Sequence, residues 1–218
     1  MYNGPNWVDR TILITEHSRR ITVARGLDAK RLLNQVEEIR RLNRDLKGIV
    51  FLKGIVVHVL ENGDLDLPAD VLGQLDIVVG ADHSRFNLFC ERQTARILKA
   101  MDHAHCHVPP LGTASHQAGT LRGGSRAHSP PRERERFFPG LNAHSERLNL
   151  VDLACRMARD AGKLVSIDSY AHTIDDFNNL RFGMGQARIR RLEKPTFLIA
   201  RPLCELRPLP AGTIEVTP

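Results

Sequence analysis

Three histidines each follow a short apolar run: His17 in Ile-Thr-Glu-His-Ser, His83 in Gly-Ala-Asp-His-Ser-Arg-Phe-Asn and His172 in Ser-Tyr-Ala-His-Thr. An apolar run ending in a polar side chain is the pattern of a buried strand delivering a residue to the mouth of a sheet or barrel, where α/β enzymes assemble their sites. Neutral imidazole binds zinc, manganese or iron through one ring nitrogen, and an open coordination position allows bound water to become a nucleophile. The first expectation is therefore a metal or phosphate site with His17, His83 and His172 as ligands. Arg85, just after His83-Ser84, and Arg181, beyond His172, are the arginines best placed to meet phosphate oxygens with a guanidinium fork.

The elements that would carry these residues follow from periodicity. Residues 11–15 (Thr-Ile-Leu-Ile-Thr) read as a buried strand ending at Glu16 and His17. From Asp28, a good N-cap, Leu32, Leu33, Val36, Ile39, Leu42 and Leu46 keep helical spacing, and Gly48 is a natural stop. Residues 49–60 are apolar enough for one or two strand pieces, with a break expected at Gly54, and residues 61–64 read as a turn. A short helix over 71–75, a strand over 76–80 leading to His83, and a helix over 91–101 with Ile97, Leu98 and Met101 on one face follow. A second amphipathic helix over 150–161 feeds a strand over 163–167 that ends near His172. Alternating strands and helices predict parallel pairing with crossover helices, hence an α/β barrel or a doubly wound sheet.

Residues 103–140 are different. They hold histidines, Pro109-Pro110, Gly123-Gly124, Pro130-Pro131 and Arg132-Glu133-Arg134-Glu135-Arg136, with almost no apolar period. We read this stretch as an irregular loop or insertion, its His103, His105 and His107 as solvent-exposed, and its Arg-Glu run as a solvated charge run. His58 ends a hydrophobic strand; His116, His128 and His144 carry no context that assigns a role.

The chain has 218 residues, 42% hydrophobic, 26% charged and 5% aromatic, which suits one soluble α/β domain with a substantial core. A net charge of +6 suits an anionic partner such as DNA or a phosphate ester, or equally a solvated basic surface. Cys90, Cys106, Cys155 and Cys204 form no C-x-x-C pair, which argues against a zinc ribbon or a disulfide framework and for reduced thiols. No stretch is long enough to cross a bilayer and the N-terminus has no leader pattern, so a cytoplasmic protein without membrane contact is expected. There is no P-loop or dinucleotide fingerprint, and the few aromatic residues are not interleaved with basic ones as a base-stacking surface would require.

The strings Ile-Thr-Glu-His-Ser (14–18), Gly-Leu-Asp (26–28), Gly-Asp-Leu-Asp-Leu-Pro (63–68), Gln-Leu-Asp-Ile-Val-Val (74–79), His-Ser-Arg-Phe-Asn (83–87) and Asn-Asn-Leu-Arg-Phe-Gly (178–183) resemble the PHP domain (polymerase and histidinol phosphatase) at the C-terminus of bacterial family X DNA polymerases. The resemblance covers most of 10–102 and 141–206, which sets a PHP-like domain at 10–206 and a tail at 207–218. It implies a distorted seven-stranded (β/α)7 barrel and a cluster of manganese or zinc ions for phosphoester hydrolysis, including 3′-to-5′ exonuclease action on DNA. His17, His83 and His172 fall where that family has metal ligands.

The sequence also departs from the pattern. The family's opening strand with its His-x-His pair would precede residue 10 and is missing, so an incomplete barrel is expected. Gly54-Ile55-Val56-Val57 stands where the family has Gly-Ile-Glu-Val, and Tyr170-Ala171-His172 stands for Asp-Ala-His, so two carboxylates are lost; Glu16 replaces an Asp. A Gly-His-Pro strand end expected near 110–112 is absent, and similarity resumes at Leu141-Asn142-Ala143-His144. Abrupt loss and return is what a shifted reading frame over this stretch would leave, and the encoding DNA tests it. Bridging carboxylates neutralise clustered cations, so impaired catalysis is expected, with a non-catalytic DNA- or partner-binding module as the alternative.

Overall fold

The computed structural model describes residues 10–19, 26–81, 92, 95, 96, 99, 100, 106, 107, 140–144, 164–189 and 192–201. Their strands form two parallel sheets. The larger has the order β1 (Arg10–His17), β2 (Ile49–His58), β3 (Ile77–Ala81), β4 (Cys106–His107), and the smaller pairs β5 (Gly140–Asn142) with β6 (Ser166–Asp168). The architecture is α/β with parallel strands, and no closed barrel is present among the described residues.

Helix α1 (Ala29–Asp45) crosses from β1 to β2. The Asp28 carboxylate caps it by accepting the Arg31 N–H at 2.9 Å, and Gly48, at φ +74°, turns the chain into β2. Leu32 and Val36 from α1 pack against Ile55, Val57, Val59 and Val78, with Val71 and Leu72 of α2 (Ala69–Leu72) completing the core. The Asn43 amide exchanges two 2.8 Å hydrogen bonds with the Phe51 backbone and fastens the end of α1 to β2.

The expected break at Gly54 does not occur: β2 runs unbroken from Ile49 to His58. The glycine answers a different need. A Cβ at position 54 would lie 2.8 Å from Leu13 Cδ1 and 2.9 Å from Ile14 O, so the strand needs a bare backbone there to approach β1.

In the helical segment after β3, Ala100 and Arg96 are buried. Ile97, Leu98 and Met101, expected to form its apolar face, lie outside the described residues, as does the helix expected over 150–161. Arg96 reaches inward, its Nε–H donating to Leu60 O at 2.8 Å and its guanidinium also bonding Val59 O, so it caps the carbonyls that β2 leaves at its end. Within the stretch read as irregular, the backbone of Cys106–His107 pairs with Val78 and Val79 of β3.

A second core lies under the smaller sheet. Leu141, Ala143, Val165, Ile167 and Phe197 are buried together with Ala187 of α3 (Leu180–Ile189) and Leu192.

Candidate functional site

His17 is the last residue of β1, and its Cα partner on β2 is Val56. Val56 is paired in turn with Val79, and Val79 with the backbone of His107, so one row crosses all four strands. Val56 alternates with Ile55 and Val57, which face α1, so it points to the opposite face. Adjacent strands lie about 4.8 Å apart. The position that the resemblance gives to a metal-bridging carboxylate is therefore next to His17, and an isopropyl group occupies it.

The strand end is clamped. Ser18 N–H donates to Val56 O at 2.9 Å, Leu27 N–H donates to His17 O at 2.7 Å, and Gly26 presses against the Ser18 carbonyl. Ser18, His58 and Asp66 also meet here, types that elsewhere form nucleophile, base and orienting acid. Their geometry is structural. The His58 backbone N–H is shared between Ser18 Oγ at 3.1 Å and Asp66 Oδ1 at 2.9 Å, while Asp66 N–H returns a bond to His58 O at 3.1 Å.

Asp64 is similarly committed. It accepts from the Asn62 amide at 2.7 Å and pairs with Lys99 at 2.9 Å. Both acids of Gly-Asp-Leu-Asp-Leu-Pro thus secure the turn, while buried Leu65 and partly buried Leu67 pack on the core.

The second cluster gathers at the ends of β5 and β6. Asn142 is the register partner of Asp168, and Asn142 Oδ1 accepts the His144 N–H at 2.9 Å. The Tyr170 ring stands edge-on to two imidazoles, with centroids 6.0 Å from His144 and 5.0 Å from His172. Tyr170 has φ +52°, a left-handed backbone that costs a side chain of this kind about 1–3 kcal/mol. Aspartate tolerates that region better.

The loop bearing His172 is stitched from within. Asp176 Oδ2 accepts the N–H groups of His172 at 2.9 Å and Thr173 at 2.8 Å, and the Asn179 amide donates to Ser169 O at 3.3 Å. Those backbone bonds, from His172 first, hold the Asp176 carboxyl below the usual carboxylate range. Asp168 moves the other way. Protein packed around it strips hydration and raises its pKa although the side chain still meets solvent, and the Ser166 hydroxyl at 2.8 Å partly offsets this.

The two shifts have opposite signs in stability. Asp176's contribution is fully present above the ordinary Asp value and is lost as pH falls through its depressed folded value. Asp168's contribution is present below the ordinary value and is lost as pH rises through its raised one. Asp176→Asn is expected to flatten the acid limb of the stability curve and to speed amide exchange at His172 and Thr173. Unchanged exchange at both amides, measured by NMR, would refute the stitching role.

Of the residues expected to form the site, His17 and His172 are described, at the ends of the two sheets, and His83 and Arg85 lie outside the described residues. Among the described residues no three His, Cys, Asp or Glu side chains group closely enough to hold a metal ion. His144 and Asp168 join His172 at this sheet end although sequence patterns did not single them out. The available signal was their place just after short alternating segments, Leu141-Asn142-Ala143 and Val165-Ser166-Ile167.

No helix among the described residues is long and apolar enough to cross a membrane. No protein-family model matches the chain. It is 30% identical over 197 residues, 87% of its length, to the DNA polymerase/3′-5′ exonuclease PolX of Bacillus subtilis (strain 168). The match spans 34% of that protein, so the chain covers about a third of the curated relative's length.

Proposed function

We propose that the chain is a PHP-type α/β module, a distorted β/α barrel in outline, related to the phosphoesterase or 3′-to-5′ exonuclease part of family X DNA polymerases and impaired in catalysis. Its natural ligand is DNA or another phosphate ester. The relationship to a polymerase with 3′-to-5′ exonuclease activity supports the phosphoester reading. The observation that carries the impairment is the register of His17 with Val56, an apolar neighbour where metal chemistry needs a carboxylate. Tyr170 beside His172 supports the same reading from the other sheet.

The second reading is a non-catalytic DNA- or partner-binding module. It is favoured by the Asp64 and Asp66 contacts, which assign the motif's acids to folding.

Restoring the missing acids tests the proposal. Wild-type protein is expected to retain little manganese or zinc by mass spectrometry and to hydrolyse a generic phosphodiester slowly or not at all with added manganese. The double variant Val56→Glu/Tyr170→Asp is expected to bind manganese at least about tenfold more tightly, since carboxylates are the ligands this hard cation prefers. Stoichiometric metal and full turnover in the wild type would remove the impairment. A folded double variant with no gain in metal binding would favour the binding module.

A further inference from the structure

α3 carries large apolar side chains on both faces: Leu180 and Met184 pack against the core of the smaller sheet, while others point away from it. Beside those two the inward face holds small residues: Gly183 and Ala187 are buried, and a Cβ at Gly183 would lie 2.6 Å from Ile167 Cγ2 and 2.9 Å from Ala143 Cβ. Facing outward, Ile189 is 66% exposed and Phe182 37%. Arg181 and Arg188 are exposed beside them, and a Cβ at Gly185 would meet nothing within 4 Å. An ordinary surface helix carries polar groups on its outer face instead.

The spacing of the outward residues is that of a helix-pairing seam. Phe182 and Ile189 are seven residues apart and occupy equivalent heptad positions of type a, Gly185 falls at d between them, and Arg181 and Arg188 fall at g. Charges at g select the charge of a partner helix. α3 contains no carboxylate, and the Arg181 guanidinium lies 4.6 Å from the centroid of the Phe182 ring, an arrangement that keeps charge and apolar surface together. Exposed aromatic and arginine side chains with no acid match the composition of protein interfaces.

We propose that this outward face of α3 docks an acidic amphipathic helix of a partner protein. The partner's apolar stripe covers Phe182 and Ile189, a bulky side chain enters the notch over Gly185, and its carboxylates pair with Arg181 and Arg188. The heptad period favours a helix over an extended segment, and the run of cations without acids fixes its charge. A phosphate backbone would satisfy the arginines but leave Ile189 uncovered. The surface is small, so the affinity belongs in the micromolar range of transient contacts. This proposal does not depend on the catalytic reading.

The test uses the full chain and a labelled synthetic peptide of about three heptads, leucine at a and d and glutamate at e and g, with a lysine-for-glutamate counterpart. Fluorescence anisotropy is expected to give saturable, salt-sensitive binding of the acidic peptide and none of the basic one. Ile189→Asp is expected to weaken binding at least about tenfold. Arg181→Glu/Arg188→Glu is expected to lose the acidic peptide and gain the basic one, a swap that an unfolded protein cannot give. Equal binding of both peptides, a charge-reversed variant without the swap, or displacement of the peptide by a single-stranded oligonucleotide would overturn the proposal. So would self-association through this face, seen by sedimentation and abolished by Ile189→Asp.

Discussion

Asp76→Ala is expected to destabilise the fold by about 3–5 kcal/mol, the usual cost of removing one partner from a buried ion pair. Asp76 precedes β3 and is 3% exposed, and Lys53 on β2 is 12% exposed. The Lys53 ammonium lies 3.3 Å from Asp76 Oδ1, the Lys53 N–H donates to Asp76 Oδ2 at 2.7 Å, and the Asp76 N–H returns a 2.8 Å bond to Lys53 O. Alanine would leave both a largely buried cation and a part-buried backbone donor without their acceptor, each carrying its own penalty. Asp76→Asn keeps an acceptor for the amide and should recover part of the loss. Replacing both residues by apolar ones, as in Lys53→Met/Asp76→Leu, should cost far less than the single change. Chemical denaturation of the three variants checks the order. A loss below about 1 kcal/mol for Asp76→Ala would place the pair among ordinary surface contacts.

Gly26→Ala should be at least as damaging, about 4 kcal/mol or more, the range reserved for substitutions the backbone cannot absorb. A Cβ there would stand 2.1 Å from Ser18 O and 2.7 Å from His17 O. The obstacles are main-chain atoms, so no side-chain rotation gives relief. To make room, Leu27 would have to release its 2.7 Å bond to His17 O, and the end of β1 would swing with it. Thermal unfolding should therefore shift down together with a change in the His17 imidazole resonances. A lower melting temperature with unaltered His17 signals would separate the clamp from the histidine it holds.

Local rules carried much of the architecture. The Asp28 cap, the apolar spacing of α1 and the turn at Gly48 predicted that helix to within a residue or two, because each depends on neighbours in sequence. Parallel pairing followed from the alternation of elements. The uninterrupted course of β2 did not, because Gly54 is required by Leu13 and Ile14, about forty residues away in sequence, and a lone glycine reads the same whether it breaks a strand or admits a neighbour. The inward turn of Arg96 was hidden for the same reason: its acceptors are the carbonyls of Val59 and Leu60.

At the site, the resemblance marked positions where acids are expected but not what surrounds them. Val56 stands where the resemblance expects an acid, whereas its adjacency to His17 needed the strand register. Tyr170 stands at another such position, whereas its left-handed backbone and flanking imidazoles are products of tertiary folding.

The acids of Gly-Asp-Leu-Asp-Leu-Pro have one more implication. Asp66 and His58 exchange bonds that close the end of β2, and Asp64 ties the adjoining turn to Lys99. Selection for folding alone is enough to keep such residues, whatever happens to the chemistry nearby. A search that weights this string heavily will therefore gather descendants of the scaffold, active and inactive alike. Positions 56 and 170, where the resemblance expects carboxylates, are the ones to compare when sorting them.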